Sequence, residues 1–160
     1  MAPKLHPFKP LLFSDTKILI LGSFPSQKSF EEGFYYAHPQ NQFWKILSAI
    51  TAYPIHNRDQ KIWLLKEAKI GLWDTISSCY QENSLDRSIY DEEVNDIATL
   101  VQSYPSIEKI ACCGKKSYEL FKMHFDYLGF EPIYLPSPSA AHAAMKIEQK
   151  IAIYKEKLGL

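Results

Sequence analysis

Cysteine is scarce: the 160 residues hold three, Cys79 and the adjacent Cys112 and Cys113. Three thiols form neither an even disulfide framework nor a CxxC knuckle, and they fall one ligand short of a four-thiolate iron–sulfur cluster. They read as buried thiols of a reducing compartment. Long apolar runs are missing as well. None approaches the roughly 18 residues of a membrane helix, and Met1 to His6 carry no hydrophobic core of a signal peptide. The expectation is a cytoplasmic protein with no membrane partner. Net charge is also lacking, 18 Lys and Arg against 18 Asp and Glu, so no bulk positive field grips nucleic acid. Neither HExxH, nor histidines paired at ligand spacing, nor a GxSxG elbow occurs. A metal site, any other cofactor and a Ser-His-Asp hydrolase are therefore not expected.

What is present is a globular composition, 46% apolar and 22% charged, in a length that suits one domain over residues 1–160. Between Glu82 and Asp96 six acids (Glu82, Asp86, Asp91, Glu92, Glu93, Asp96) face the single Arg87, net −5, leaving +5 for the rest. This run reads as a solvated, acidic helix start. The run 17–22 is a strand buried on both faces, followed by a long loop over 23–40 that contains Pro25, Gly33 and Pro39. Apolar spacing predicts helices from Asn41 and over 58–69, stopping at Gly71, then a strand at 72–76, a polar stretch and a helix over 92–103. A strand at 107–113, a helix at 115–125, a strand at 132–135 and a helix over 140–158 complete the chain. Strands alternating with helices predict an α/β fold, a three-layer α/β/α sandwich around a mostly parallel four-stranded sheet. Ligands of such sheets sit on the loops that leave the carboxyl ends of the strands. Two loops then matter, residues 22–40 and 136–142.

Gly114-Lys115-Lys116-Ser117 lies between a strand and a helix, but Lys109 stands where a phosphate loop needs its first glycine, so it reads as an ordinary turn. The loop after Gly22 says more. A turn of small residues exposes backbone N–H groups, adjacent tyrosines offer flat faces, and Asn41 puts an amide at a helix start. Together they suit an extruded base: a stacking platform, amide donors for its edge and a polar group beside a water. Singly they have plainer readings, Tyr35 and Tyr36 as a core edge and Asn41 as an N-cap.

The pattern G-S-F-P-S from Gly22, Y-Y-A-H-P-Q-N-Q-F-W from Tyr35 and L-P-S-P-S-A-A-H-A from Leu135 resembles the uracil-DNA glycosylase superfamily, nearest its hypoxanthine-DNA (deoxyinosine) glycosylase branch, which is related to the mismatch-specific uracil/thymine enzymes. G-L-W-D at Gly71 to Asp74 and S-L-D-x-S-I at Ser84 to Ile89 extend the match. The resemblance implies that Gly22, Ser23, Phe24, Pro25, Tyr36 and His38 form the base pocket, with Tyr36 stacking on the flipped base. Phe24 stands where relatives carry the asparagine or aspartate that positions water, and resemblance to the hypoxanthine branch implies that the essential amide is the asparagine of the N-x-F-W block, here Asn41. Ser26, Ser137, Ser139, Ala140, Ala141, His142 and Lys146 are the implied DNA contacts, the two alanines being a small wedge for the minor groove.

The expected reaction is monofunctional hydrolysis of an N-glycosidic bond in double-stranded DNA containing a deaminated base, hypoxanthine first, by a monomer. Asn41 either positions the water or hydrogen-bonds the base. A uracil or mixed-specificity glycosylase is the neighbouring alternative. A non-catalytic nucleic-acid-binding module and an enzyme of free nucleosides are alternatives of other classes.

Overall fold

The computed structural model describes residues 2–160. Its strands are β1 (Lys4–Leu5), β2 (Ile18–Gly22), β3 (Ile70–Asp74), β4 (Ile76–Gln81), β5 (Ile89–Val94), β6 (Lys109–Cys113) and β7 (Ile133–Leu135). Its helices are α1 (Gln27–Glu32), α2 (Phe43–Thr51), α3 (Arg58–Ala68), α4 (Ile97–Ser103), α5 (Lys115–Phe125) and α6 (Ile147–Leu158). β2, whose five residues are all buried, is the heart of a parallel sheet of order β3-β2-β6-β7. Successive side chains leave opposite faces of a strand, so each strand feeds two cores. Ile18, Ile20, Ile70, Leu72 and Ala111 pack with α2, α3 and α6, while Leu19, Leu21, Ile110 and Cys112 pack with α4 and α5. The predicted three-layer α/β/α sandwich is what forms. No helix among the described residues is long and apolar enough to cross a membrane.

Several predicted elements change. The strand expected at 72–76 is β3, and the chain breaks at Thr75, where Thr75 N donates to Gly22 O (2.8 Å) and Ile76 N to Ser23 O (3.1 Å). Beyond the break the polar stretch is β4, paired antiparallel with β1 and β5 in a second, three-stranded sheet. The acidic run therefore starts no helix over 92–103. Its residues 89–94 are strand, with Tyr80 and Tyr90 stacked across the ladder at 5.5 Å. α4 begins after Asp96, whose carboxylate accepts from Thr99 N (3.0 Å). Gly71 is no helix stop. Lys69 ends α3 in the left-handed region (φ 59°), and Gly71 lies in β3, where a Cβ would meet Leu12 Cβ at 2.6 Å. The 23–40 loop contains α1, six residues too short to show a period. The last helix starts at Ile147, because 140–146 is spent in turns such as His142 N to Ser139 O (3.0 Å).

Candidate active site

The chain leaves β2 toward β3 on one side, and β6 lies on the other, so the carboxyl ends of β2 and β6 form the switch point where such sheets open a crevice. A cavity of about 440 Å³ lies there, within the range of small-molecule sites. Gly22, Ser23, Phe24, Pro25, Ser26, Tyr36, His38 and Asn41 line it from the first loop, and Ser137, Ser139, Ala140 and Ala141 from the second. His142 and Lys146 do not line it. His142 is held in the turn above, and Lys146 caps the start of α6, its N–H donating to Gln149 Oε1 (2.9 Å).

Gly22 is dictated by space: a Cβ there would overlap the Asp74 carboxylate and come within 2.9 Å of the Tyr36 hydroxyl. Phe24 is buried against Ile76, Cys79, Ile89 and Leu120, which turns the water-positioning place into apolar wall. Ser26 caps α1, accepting from Ser29 N (3.2 Å). His38 is exposed and makes the turn into Asn41, Nδ1 accepting from Gln40 N (3.1 Å) and its carbonyl from Asn41 N (2.9 Å).

Asn41 Oδ1 accepts from Phe43 N at 2.9 Å, at the first turn of α2. That bond uses the oxygen end of the amide and leaves the NH₂ end as a donor. Tyr36 sits at φ 52°, a left-handed conformation costly for a side chain of its size. Its ring stacks on Phe43 at 4.0 Å and 18°, so a flat ligand has only the opposite face to lie on. Its hydroxyl is buried without a hydrogen-bond partner among the described residues. Tyr35 belongs to the core, its hydroxyl donating to Lys9 O (2.9 Å).

The second loop is held from α6. Lys150, fully buried, donates to Gln42 Oε1 (2.8 Å) and Ser139 O (3.3 Å). Tyr154 donates to Pro136 O (2.6 Å), and Gln42 N to Pro138 O (2.8 Å), which ties the two loops to each other. Ser137 Oγ and Ser139 Oγ accept from Ser139 N and Ala141 N (3.2 Å each). The two hydroxyl protons remain for an acceptor such as a phosphate.

The sequence reading missed the floor of the site. Asp74, at the end of β3, pairs through Oδ2 with His6 Nε2 at 2.7 Å, both side chains nearly inaccessible. Asp86, one of the acids read as solvated, instead lines the cavity, and Ser23 Oγ donates to its Oδ1 at 2.5 Å. Burial, together with the Asp74 charge, raises the Asp86 carboxyl above the usual range despite the Ser23 bond and Lys116. Cys113 lines the floor as well, its thiol pushed up to about 12 by burial. The signals available were G-L-W-D and S-L-D, which carry both acids but no indication of where they point. Among the lining residues there is no lysine or arginine. No three His, Cys, Asp or Glu side chains among the described residues converge as metal ligands.

The "Uracil DNA glycosylase superfamily" profile matches residues 11–158. Two proteins named hypoxanthine DNA glycosylase are similar to the chain. That of Methanosarcina barkeri is 36% identical over 87% of this chain and 89% of its own length. That of Methanosarcina acetivorans is 35% identical over 84% and 86%. A solution NMR structure from M. acetivorans, described as a candidate uracil DNA glycosylase, superposes with a TM-score of 0.81 at 31% identity, covering 98% of this chain and 99% of that one. With the profile spanning residues 11–158, and the cavity at the expected strand ends, the chain belongs to the uracil DNA glycosylase superfamily.

Proposed function

We propose that the chain is a monofunctional DNA glycosylase that hydrolyses the N-glycosidic bond of a deaminated base in duplex DNA, hypoxanthine first, and leaves an abasic site for base excision repair. The family and the hypoxanthine glycosylase relatives support the reaction class. The observation that carries the site assignment is Asn41, whose oxygen accepts from Phe43 N and whose NH₂ is left as a donor beside the Gly22 turn. As the bond breaks, negative charge grows on the leaving base and positive charge on the sugar. A fixed amide donor suits the growing charge on a base oxygen or ring nitrogen, so of the two roles open to Asn41 base binding is favoured over water activation. The backbone amides of Ser23 and Phe24 share that charge, and Tyr36 stacks on the base by its free face. Ser26, Ser137 and Ser139 contact phosphates, and Ala140 and Ala141, exposed on the loop rim, occupy the gap left by the flipped nucleotide. Among the described residues no lysine lines the cavity, which suits a water rather than an amine as nucleophile.

The test is alkali cleavage of labelled duplexes carrying one deoxyinosine, one deoxyuridine or neither. Wild type opens the deoxyinosine duplex, and Asn41→Ala is slower by about 10²–10³-fold, the usual loss for one charge-stabilising donor. Binding without cleavage of any duplex identifies a binding module instead. Release of hypoxanthine from free deoxyinosine, with no need for DNA, identifies a nucleoside enzyme.

A further inference from the structure

Asn41 leaves a second requirement of the reaction unfilled. A water must be held against the anomeric carbon and give up a proton, and the Asn41 amide oxygen, which already accepts from Phe43 N, is too weak a base to take it, while Phe24 offers only apolar surface. Two carboxylates line the cavity. Asp74 is committed to His6 at 2.7 Å, buried beside Gly22 at the strand ends. Asp86 has no cationic partner within ion-pair distance among the described residues, and only its Oδ1 is engaged, by Ser23. Its Oδ2 lies toward the gap between Gly114 and Ser137: a Cβ built on Gly114 would stand 3.6 Å from Oδ2 and 3.6 Å from Ser137 Cβ. Asp86 thus borders the loop assigned to the sugar-phosphate backbone. The Tyr36 hydroxyl, buried and unpartnered, reaches Gly22 beside Asp74, on the base side of the site.

Resting on the glycosylase reading, we propose that Asp86 is a further catalytic residue, the group that holds the attacking water and takes its proton. The step balances. A water O–H bond breaks and its proton passes to Asp86 Oδ2, and the water oxygen bonds to C1′. The bond from C1′ to the base nitrogen breaks, and its electron pair leaves on the base. The proton on Asp86 then passes to the base, directly or through solvent, which returns the carboxylate. As an anion, Asp86 also opposes the positive charge that develops on the sugar. Ser23 is the positioning residue, since its hydroxyl occupies Oδ1 and leaves Oδ2 to the water. The charged and titratable groups that act on this carboxylate are Asp74 from β3, Cys113 from β6 and Lys116 from α5.

The experiment measures single-turnover cleavage of a deoxyinosine duplex from pH 5 to 9 with wild type, Asp86→Asn and Ser23→Ala. Binding to a duplex carrying non-hydrolysable 2′-fluoro-deoxyinosine is measured alongside. Expected are a loss of about 10²–10⁴-fold in rate for Asp86→Asn, binding within threefold of wild type, and a smaller loss for Ser23→Ala. The wild-type rate rises with pH through one ionisation, and that rise is absent from the residual rate of Asp86→Asn. A rate for Asp86→Asn within threefold of wild type overturns the proposal, as does a wild-type rate that falls with pH, which would mark a general acid. If Asp86→Asn does not fold by circular dichroism, the wild-type profile and Ser23→Ala decide. Failure of wild type on every damaged duplex overturns the glycosylase reading itself and this assignment with it.

Discussion

Two carboxylates share one cavity, and their partners decide how each behaves. Asp74 has an imidazole at 2.7 Å, whereas Asp86 has only a hydroxyl, and burial beside the Asp74 charge raises its carboxyl. A carboxyl whose folded pKa lies above its unfolded one contributes stability below the unfolded pKa, and that contribution is lost as pH rises through the folded pKa. Above its folded pKa the ionised Asp86 is therefore a standing cost to the fold. Asp86→Asn, which cannot ionise, should melt above wild type at pH 7.5, by about 2–4 °C for each kcal/mol of cost removed. The gap should close toward pH 4. Thermal melts by circular dichroism across that range check it, and a variant that melts lower at pH 7.5 would show the Ser23 bond to outweigh the burial. A residue that destabilises its own fold is the pattern of a site kept for function.

At the scale of elements, α6 does more than cover the sheet. Lys150 and Tyr154 lie four residues apart on one face, and both reach the loop after β7, at Ser139 O and Pro136 O. Burial lowers the Lys150 pKa, so holding its ammonium there costs free energy. Lys150→Met keeps the length and removes both the charge and its bonds. The released desolvation offsets the lost hydrogen bonds, and the variant should melt within a few degrees of wild type, at about 2–4 °C per kcal/mol. Its loop, left with only the Tyr154 bond to Pro136 O and the Gln42 N bond to Pro138 O, should bind the deoxyinosine duplex about tenfold less tightly, equivalent to about 1.4 kcal/mol. Gel-shift titration beside a melt separates the two effects, and unchanged affinity would remove Lys150 from the account.

Across the whole molecule, the N-terminal segment closes the site from below. β1 pairs with β4, Leu11 bridges to Leu72, and His6 reaches Asp74 through a ring of aromatics that includes Phe8, Phe24, Tyr35 and Trp73. Removing one partner of a buried pair leaves the other uncompensated. His6→Ala should therefore cost about 3 kcal/mol by urea unfolding, and Asp74→Asn in the same chain should recover part of it. Additive losses in that double-mutant cycle would show that the two side chains do not depend on each other.

How much was legible follows from the range of the forces involved. β2, α2, α3, α5 and β7 show as local patterns, because an apolar run or a helical stripe is written in neighbouring residues. The β4–β5 hairpin did not, since register shifts between Ile76 and Ser78 and between Ser78 and Tyr80 break the alternation of buried and open positions that marks a strand. Of the site, the two loops and Asn41 were legible as motifs. Asp86 was not, because an acid beneath a pocket and an acid in solvent have the same letter and the same charged neighbours.

Sequence by itself determined the layered α/β class, the strand ends on which the cavity opens and the family to which the chain belongs, since periodicity and motif order are local properties. Tertiary structure alone decided which end of the Asn41 amide is free, that Lys150 pins the second loop, and that His6 and Ser23 partner Asp74 and Asp86. Those outcomes rest on contacts between residues 11 to 108 positions apart or more locally on one hydrogen bond, Phe43 N to Asn41 Oδ1. The desolvation and pairing that set their chemistry exist only once the chain has closed around them.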